Sequence, residues 1–240
     1  MKRGTPARQR GAALLLLVAV LGLGAASLLI GAFGRDTGEA ARQQRTLATL
    51  AQARDALLGF AVTHGRLPRP AASALDGRER AADCASDADC SGFLPWVALG
   101  VAGSDAWGKL LRYSVTPEMS RAPIVSFSAV ANRVVLARDE RGDFVHVAGQ
   151  DLCDVSAQCL PVVLFSQGKE HFGTTASGVA QRNTARGNID EAANDGASRS
   201  FISRPASAND ALPGGSFDDL FTWITLPTLY QRMRAARNLP

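Results

Sequence analysis

The first 34 residues constrain this chain most. They read MKRGTPARQRG and then AALLLLVAVLGLGAASLLIGAFG, a basic leader with no acid joined to an uncharged run from Gly11 to Gly34. As a helix this run is roughly 36 Å long at about 1.5 Å per residue, and a bilayer's hydrocarbon core is about 30 Å thick. The spacing predicts a long N-terminal membrane-spanning helix that tethers a polar head. Lys2, Arg3, Arg8 and Arg10 precede the run, whereas Arg35 behind it is diluted by Asp36 and Glu39. Positive charge favours the cytoplasmic side, so residues 1–10 are expected inside and residues 36–240 outside.

About 205 residues follow the run, enough for one ordinary domain with an entry helix. Of the 26 bases, four lie in the leader, so the remaining ones match the 22 acids one for one. A neutral head lacks the clustered positive charge of a nucleic-acid binder, and no nucleic-acid partner is expected. The four cysteines form two pairs of equal spacing, Cys84 with Cys90 and Cys153 with Cys159, both in loop-like sequence. Four cysteines allow three pairings, of which two local loops are the simplest. Zinc is a rival, but neither pair has a zinc knuckle's two-residue gap, and free buried thiols are a third reading. An oxidising compartment outside the membrane favours disulfides.

Residues 36–62 contain no proline, and Leu47, Leu50, Leu57, Leu58 and Ala61 recur at three- and four-residue steps. This predicts an amphipathic helix, near-continuous with the apolar run. Gly65, Pro68 and Pro70 end it. The boundaries follow: 1–11 leader, 12–34 spanning helix, 35–64 amphipathic extension, 65–240 head. Within the head, residues 71–92 read as a loop, FLPWVALGV as a possible helical turn, and strands are expected at 110–116, 124–131, 133–137, 144–148 and 161–166. Short strands are expected again at 201–203 and 217–225, and a closing helix at 227–237. Alternation in VSFSAV and FVHV points to an antiparallel sheet with one covered face, the cover being the N-terminal helix. The fold class is therefore α+β. Residues 167–200 are polar and read as an exposed loop.

These pieces share one pattern: a glycine-ended leader, an apolar helix running into an amphipathic one, LPWVALGV…SDAWGKLLRYSV, VVLFSQG, SFDDLFTWIT and a terminal helix. The chain resembles the type IV pilin and type II secretion pseudopilin superfamily, most of all its minor prepilin-type members, over nearly its whole length. The resemblance implies a pilin-like fold and cleavage by a prepilin peptidase between Gly11 and Ala12, often with methylation of the new amine. It also implies an inner-membrane assembly platform and other pilin or pseudopilin subunits as partners. The protein would sit in a bacterial inner membrane as a single-pass chain, head periplasmic, until assembled into a filament. The fifth mature residue in that family is usually glutamate; here it is Leu16, which implies a minor, initiating or tip-proximal subunit rather than the repeating one. Pro95, Trp96, Asp105, Trp107, Gly108, Arg112 and Tyr113 carry the head signature and are expected to be structural, with Trp107 capping the core.

Other readings of the leader are an uncleaved signal anchor holding a periplasmic binding or adhesion domain, and conventional signal cleavage near Gly24–Ser27. Two acidic groups, Asn188, Asp190, Glu191, Asn194 and Asp195, then Asp218 and Asp219, raise calcium, which major pseudopilins hold. Their order does not match an EF-hand, so a solvated loop is the preferred reading and no cofactor or metal is expected. His64, His146 and His171 are scattered, and no nucleophile elbow, zinc-protease motif or phosphate loop is present; an enzyme is not expected.

Overall fold

The computed structural model describes residues 10–125, 128–155, 159–196 and 198–239; within the first helix, side chains are described at 17, 18, 20 and 21 and from 37 onward. The chain divides into two compact units, Met1–Gln44 and Arg45–Pro240. One helix, α1 (Arg10–His64), contributes to both; Gly34, Thr37 and Gly38 do not interrupt it.

The expected membrane-spanning helix is overturned: among the described residues, no helix is long and apolar enough to cross a membrane. Of the apolar run, only the side chains of Leu17, Val18, Val20 and Leu21 are described, all exposed. They cover little more than one turn, whereas a span needs about 20 apolar residues. From residue 37 the exposed face of α1 is charged, with Arg42 and Glu39 paired at 3.5 Å.

In the second unit, Leu50, Ala53, Leu57, Leu58 and Ala61 of α1 are buried at helical spacing. They form one core with Tyr113, Val115, Val162, Leu164 and Ile224, and with Leu229 and Met233 of the closing helix α4 (Leu226–Ala235). The helix stops because Gly65 takes a left-handed backbone, φ +68°, and donates its N–H to the Ala61 carbonyl at 2.9 Å, a common C-terminal cap.

The sheet over this core is antiparallel, in the order β1 (Ser91–Phe93), β2 (Arg112–Val115), β5 (Val162–Ser166), β7 (Leu220–Ile224). Strand β5 is buried along its whole length. Val162 and Leu164 face the helices, while Val163 and Phe165 join Val135, Leu160 and Phe201 in a second core. Phe165 stacks on Phe221, its partner in β7, at 4.7 Å between ring centroids. A strand covered on both faces reads as an unbroken apolar run rather than an alternating one, and VVLF is such a run.

The second core lies under another sheet, β4 (Phe144–Ala148), β3 (Val134–Arg138), β6 (Ser200–Ile202). Here β3 and β4 are antiparallel, but β3 and β6 run parallel, so the one-sheet antiparallel expectation is corrected to two sheets. Among the described residues of 124–131 no strand forms: Ser128 and Ala129 both donate to the Val125 carbonyl. The exposed-loop reading of 167–200 is likewise corrected. This stretch holds α3 (Ile189–Asp195), and Asn188, Asp190, Glu191 and Asn194 are buried. A short helix, α2 (Trp96–Leu99), follows β1.

Candidate functional site

The polar segments of the head converge at one end of β5. Asp105 begins the site. Its Oδ1 accepts the N–H groups of Trp107 and Lys109, each at 2.9 Å, and its Oδ2 accepts the Ser166 hydroxyl at 2.6 Å. An aspartate that closes its own turn in this way is a standard turn former. Gly108 completes the turn with an N–H to the Asp105 carbonyl at 3.2 Å. Burial raises the Asp105 pKa, and these bonds offset only part of the rise.

The turn sends Lys109 inward, where it is 1% exposed. Its Nζ donates to the carbonyls of Gln167, Glu170 and His171 at 3.1, 2.7 and 2.7 Å. Burial lowers the Lys109 pKa, against the opposing pull of Asp218, Asp105, Asp219 and Glu191. The Lys109 amine is thus caged by backbone oxygens, and the carboxylates oppose the fall caused by burial.

Those carboxylates come from distant parts of the chain. Glu191 of α3 accepts the Asp218 N–H at 2.8 Å and the Asn188 amide at 2.8 Å. Asp218 accepts the N–H groups of Lys169 and Glu170 at 2.8 and 2.7 Å, while its other oxygen is buried with no hydrogen-bond partner among the described residues. Asn194 donates to Asp219 at 2.8 Å. Gly168 is required beside Asp218, because a Cβ there would lie 2.2 Å from Oδ1. One oxygen each from Glu191, Asp218 and Asp219 lies within 4.8 Å of the others. Burial, then the neighbouring negative charges, pushes Asp219 well above the carboxylate range. Asp218 is raised by the same causes from 3.8 to about 6.

Glu191, Asp218 and Asp219 supply three carboxylate oxygens of the hard kind that a divalent cation such as Ca2+ takes, out of the about six to eight it needs; these residues would hold it. The linkage gives a test. At Asp218 the folded head holds a proton that the unfolded chain has lost between pH 3.8 and about 6, so this group's contribution to stability falls as pH rises through that window. For Asp218 alone the loss is about 3 kcal/mol. Urea unfolding in chelator should therefore show the cluster's penalty growing from pH 4 to pH 6. Added calcium should restore stability at pH 7 and do little at pH 4. Identical curves with calcium and with chelator at pH 7 would retire calcium at this site.

The remaining sequence-predicted residues lie apart from this cluster in role. Tyr113 is buried in the helix-side core and donates its hydroxyl to the Pro68 carbonyl at 2.8 Å. Arg112 lies over the Phe93 ring, 5.4 Å from its centroid. Pro95 is buried, and Trp96, not Trp107, packs on the core; Trp107 is half-buried outside both cores. Cysteines pair locally as Cys84–Cys90 and Cys153–Cys159, with Cα separations of 5.1 and 5.7 Å. The Gly11–Ala12 bond falls in the first turn of α1, and the Leu16 side chain lies outside the described ones. His64 stacks on Phe60, His146 lies on β4, and His171 lies beside Glu170. Sequence reasoning missed Ser166, Gln167 and above all Lys109, whose only signal was its place directly after the D-x-W-G turn.

Compared with protein families, with curated proteins and with solved structures, the chain matches none.

Proposed function

We propose that the protein is a minor pilin- or pseudopilin-like structural subunit. It assembles through its N-terminal helix into a type IV pilus or type II secretion pseudopilus, in an initiating or tip-proximal place. The observation that carries the reading is α1: one unbroken 55-residue helix whose last part, from Leu50 to Ala61, supplies the floor of the core beneath a four-stranded antiparallel sheet. A helix that serves the head at one end and is free of chain breaks at the other can pack beside copies of itself or relatives. Two disulfides suit a head on the oxidising side of the cell envelope. Leu16 offers no charge for an intersubunit ion pair, so helix packing and head contacts supply the assembly energy.

In this reading a prepilin peptidase removes residues 1–11. Gly11 suits that role because it leaves the backbone unobstructed. Gel migration in cells with and without the peptidase should differ by the mass of the leader, and Gly11→Leu should abolish the difference and leave the chain out of filaments. Peptidase-independent migration together with normal incorporation of Gly11→Leu would defeat the proposal in favour of a signal-anchored binding domain.

A further inference from the structure

The assembly reading leaves one surface of the head unexplained. Strand β4 ends its sheet, and among the described residues no strand or bridge pairs with its outer edge. Edge strands are normally blunted by lysine, proline, a bulge or cover. Strand β4 reads FVHVA, with Phe144, Val145 and Val147 at 50, 44 and 49% exposure, and its one irregularity is a register shift at Val147, beyond the Leu136–His146 pair. Val145 and Val147 are thus open apolar side chains, while Phe144 carries the Arg138 guanidinium 4.2 Å from its ring centroid. The face carrying Phe144 and His146 continues into a groove of about 540 Å3, lined by Val134, Leu136 and Leu152 and also by Glu118, Asp151 and Arg199.

The ladder phase shows which backbone groups are free. Asp139 donates its N–H to the Asp143 carbonyl at 2.9 Å, so Asp143 and, two residues on, Val145 bond toward β3. Phe144 and His146 between them direct their N–H and C=O groups outward, by the alternation of an antiparallel ladder. The charges at the two ends of the strand share one sign. Asp139, Glu140 and Asp143 stand at the first turn and Asp151 and Asp154 at the other end, against Arg141, which pairs with Asp139, and Arg138, which is taken up by Asp190. A second copy pairing antiparallel would set acid against acid, which disfavours self-association.

We propose that β4 is a docking edge for an extended segment of a partner protein, apolar at alternate positions and basic at both ends, which adds to the sheet as a strand. Main-chain bonds to Phe144 and His146 hold the segment, the groove takes its apolar side chains, and the acidic turns select its flanks. This inference is independent of leader processing and of filament assembly.

The test uses the full chain and labelled synthetic peptides of alternating valine and threonine, with lysines at both ends or glutamates at both ends. The lysine-flanked peptide should bind about tenfold tighter or better, lose that advantage as salt is raised, and protect the Phe144 and His146 amides from hydrogen exchange. His146→Pro removes an outward N–H at a position where an edge strand tolerates proline, and should abolish binding. Should that variant fail to fold, the reversal Asp143→Lys with Asp151→Lys serves instead, and should transfer the preference to the glutamate-flanked peptide. Equal binding of the two peptides, protection elsewhere on the head, or protection of β4 by self-association without peptide would each overturn the proposal.

Discussion

Lys109→Met should destabilise the head by about 3–5 kcal/mol, the range for removing one partner of a buried charge network. Methionine matches the length of the lysine stem, so packing is nearly kept and the loss is polar. Three carbonyls, of Gln167, Glu170 and His171, lose their donor at once, and each buried unsatisfied group costs about 1–3 kcal/mol. The carboxylates of Asp105, Glu191, Asp218 and Asp219 lose their nearest compensating charge. Since a domain's whole stability is about 5–15 kcal/mol, the variant should melt about 10 °C or more below the parent. The deficit should shrink toward pH 5, where Asp218, raised to about 6, takes up a proton and needs no counter-charge. Urea unfolding of parent and variant at pH 5 and pH 7 checks both statements. A loss under about 1 kcal/mol, or one equal at the two pH values, would mean that the ammonium does not hold the cluster together.

Arg133→Met should cost a similar amount, about 3–5 kcal/mol, for a different reason. Arg133 is fully buried, and its fork is divided among four acceptors. Nε donates to the Ser114 hydroxyl at 2.8 Å, and one terminal nitrogen to the Val115 carbonyl at 2.6 Å. The other reaches Asp87 at 2.6 Å and the side-chain Oδ1 of Asn132 at 2.7 Å. Asp87 lies inside the Cys84–Cys90 loop, so this one side chain ties β2 and the base of β3 to the first disulfide. Arg133→Lys keeps the charge without the fork and should recover only part of the loss. The acid limb is a second readout. Burial raises the Asp87 pKa, but hydrogen bonds from Arg199 and Arg133 outweigh it and hold the group below its usual 3.8. A depressed acid contributes stability that is present above the unfolded pKa and is lost as pH falls through the folded one. In Arg133→Met that acid-sensitive part should diminish. A methionine variant as stable as the parent, with an unchanged acid limb, would contradict this account.

The residues that were legible in sequence are those whose environment is set locally. Val163 and Phe165 alternate with Val162 and Leu164 in a run too apolar for anything but a buried strand. FVHVA forms β4 at the expected residues, but Phe144 to Val147 are all exposed, where the alternation predicts one covered face. Leu50, Leu57, Leu58 and Ala61 mark the buried face of α1, and Gly65 marks its end. What was not legible depends on partners far along the chain. Glu191 meets Asp218 across 27 positions and Lys109 meets Gln167 across 58. No short period records such pairings, so a polar stretch that buries its polar groups against each other reads as solvated loop. The parallel pairing of β3 with β6 is hidden for the same reason. The apolar run had the opposite fault: its composition suggested a membrane span on its own, and among the described residues no helix qualifies as one.

The central claim is that this chain becomes a filament subunit only after its leader is removed. The most direct measurement is the N-terminal residue of the mature protein isolated from its native cells. The account predicts a chain that begins at Ala12, with or without a methyl group on its amine. A chain that retains Met1, or one that begins near Ser27, would contradict it.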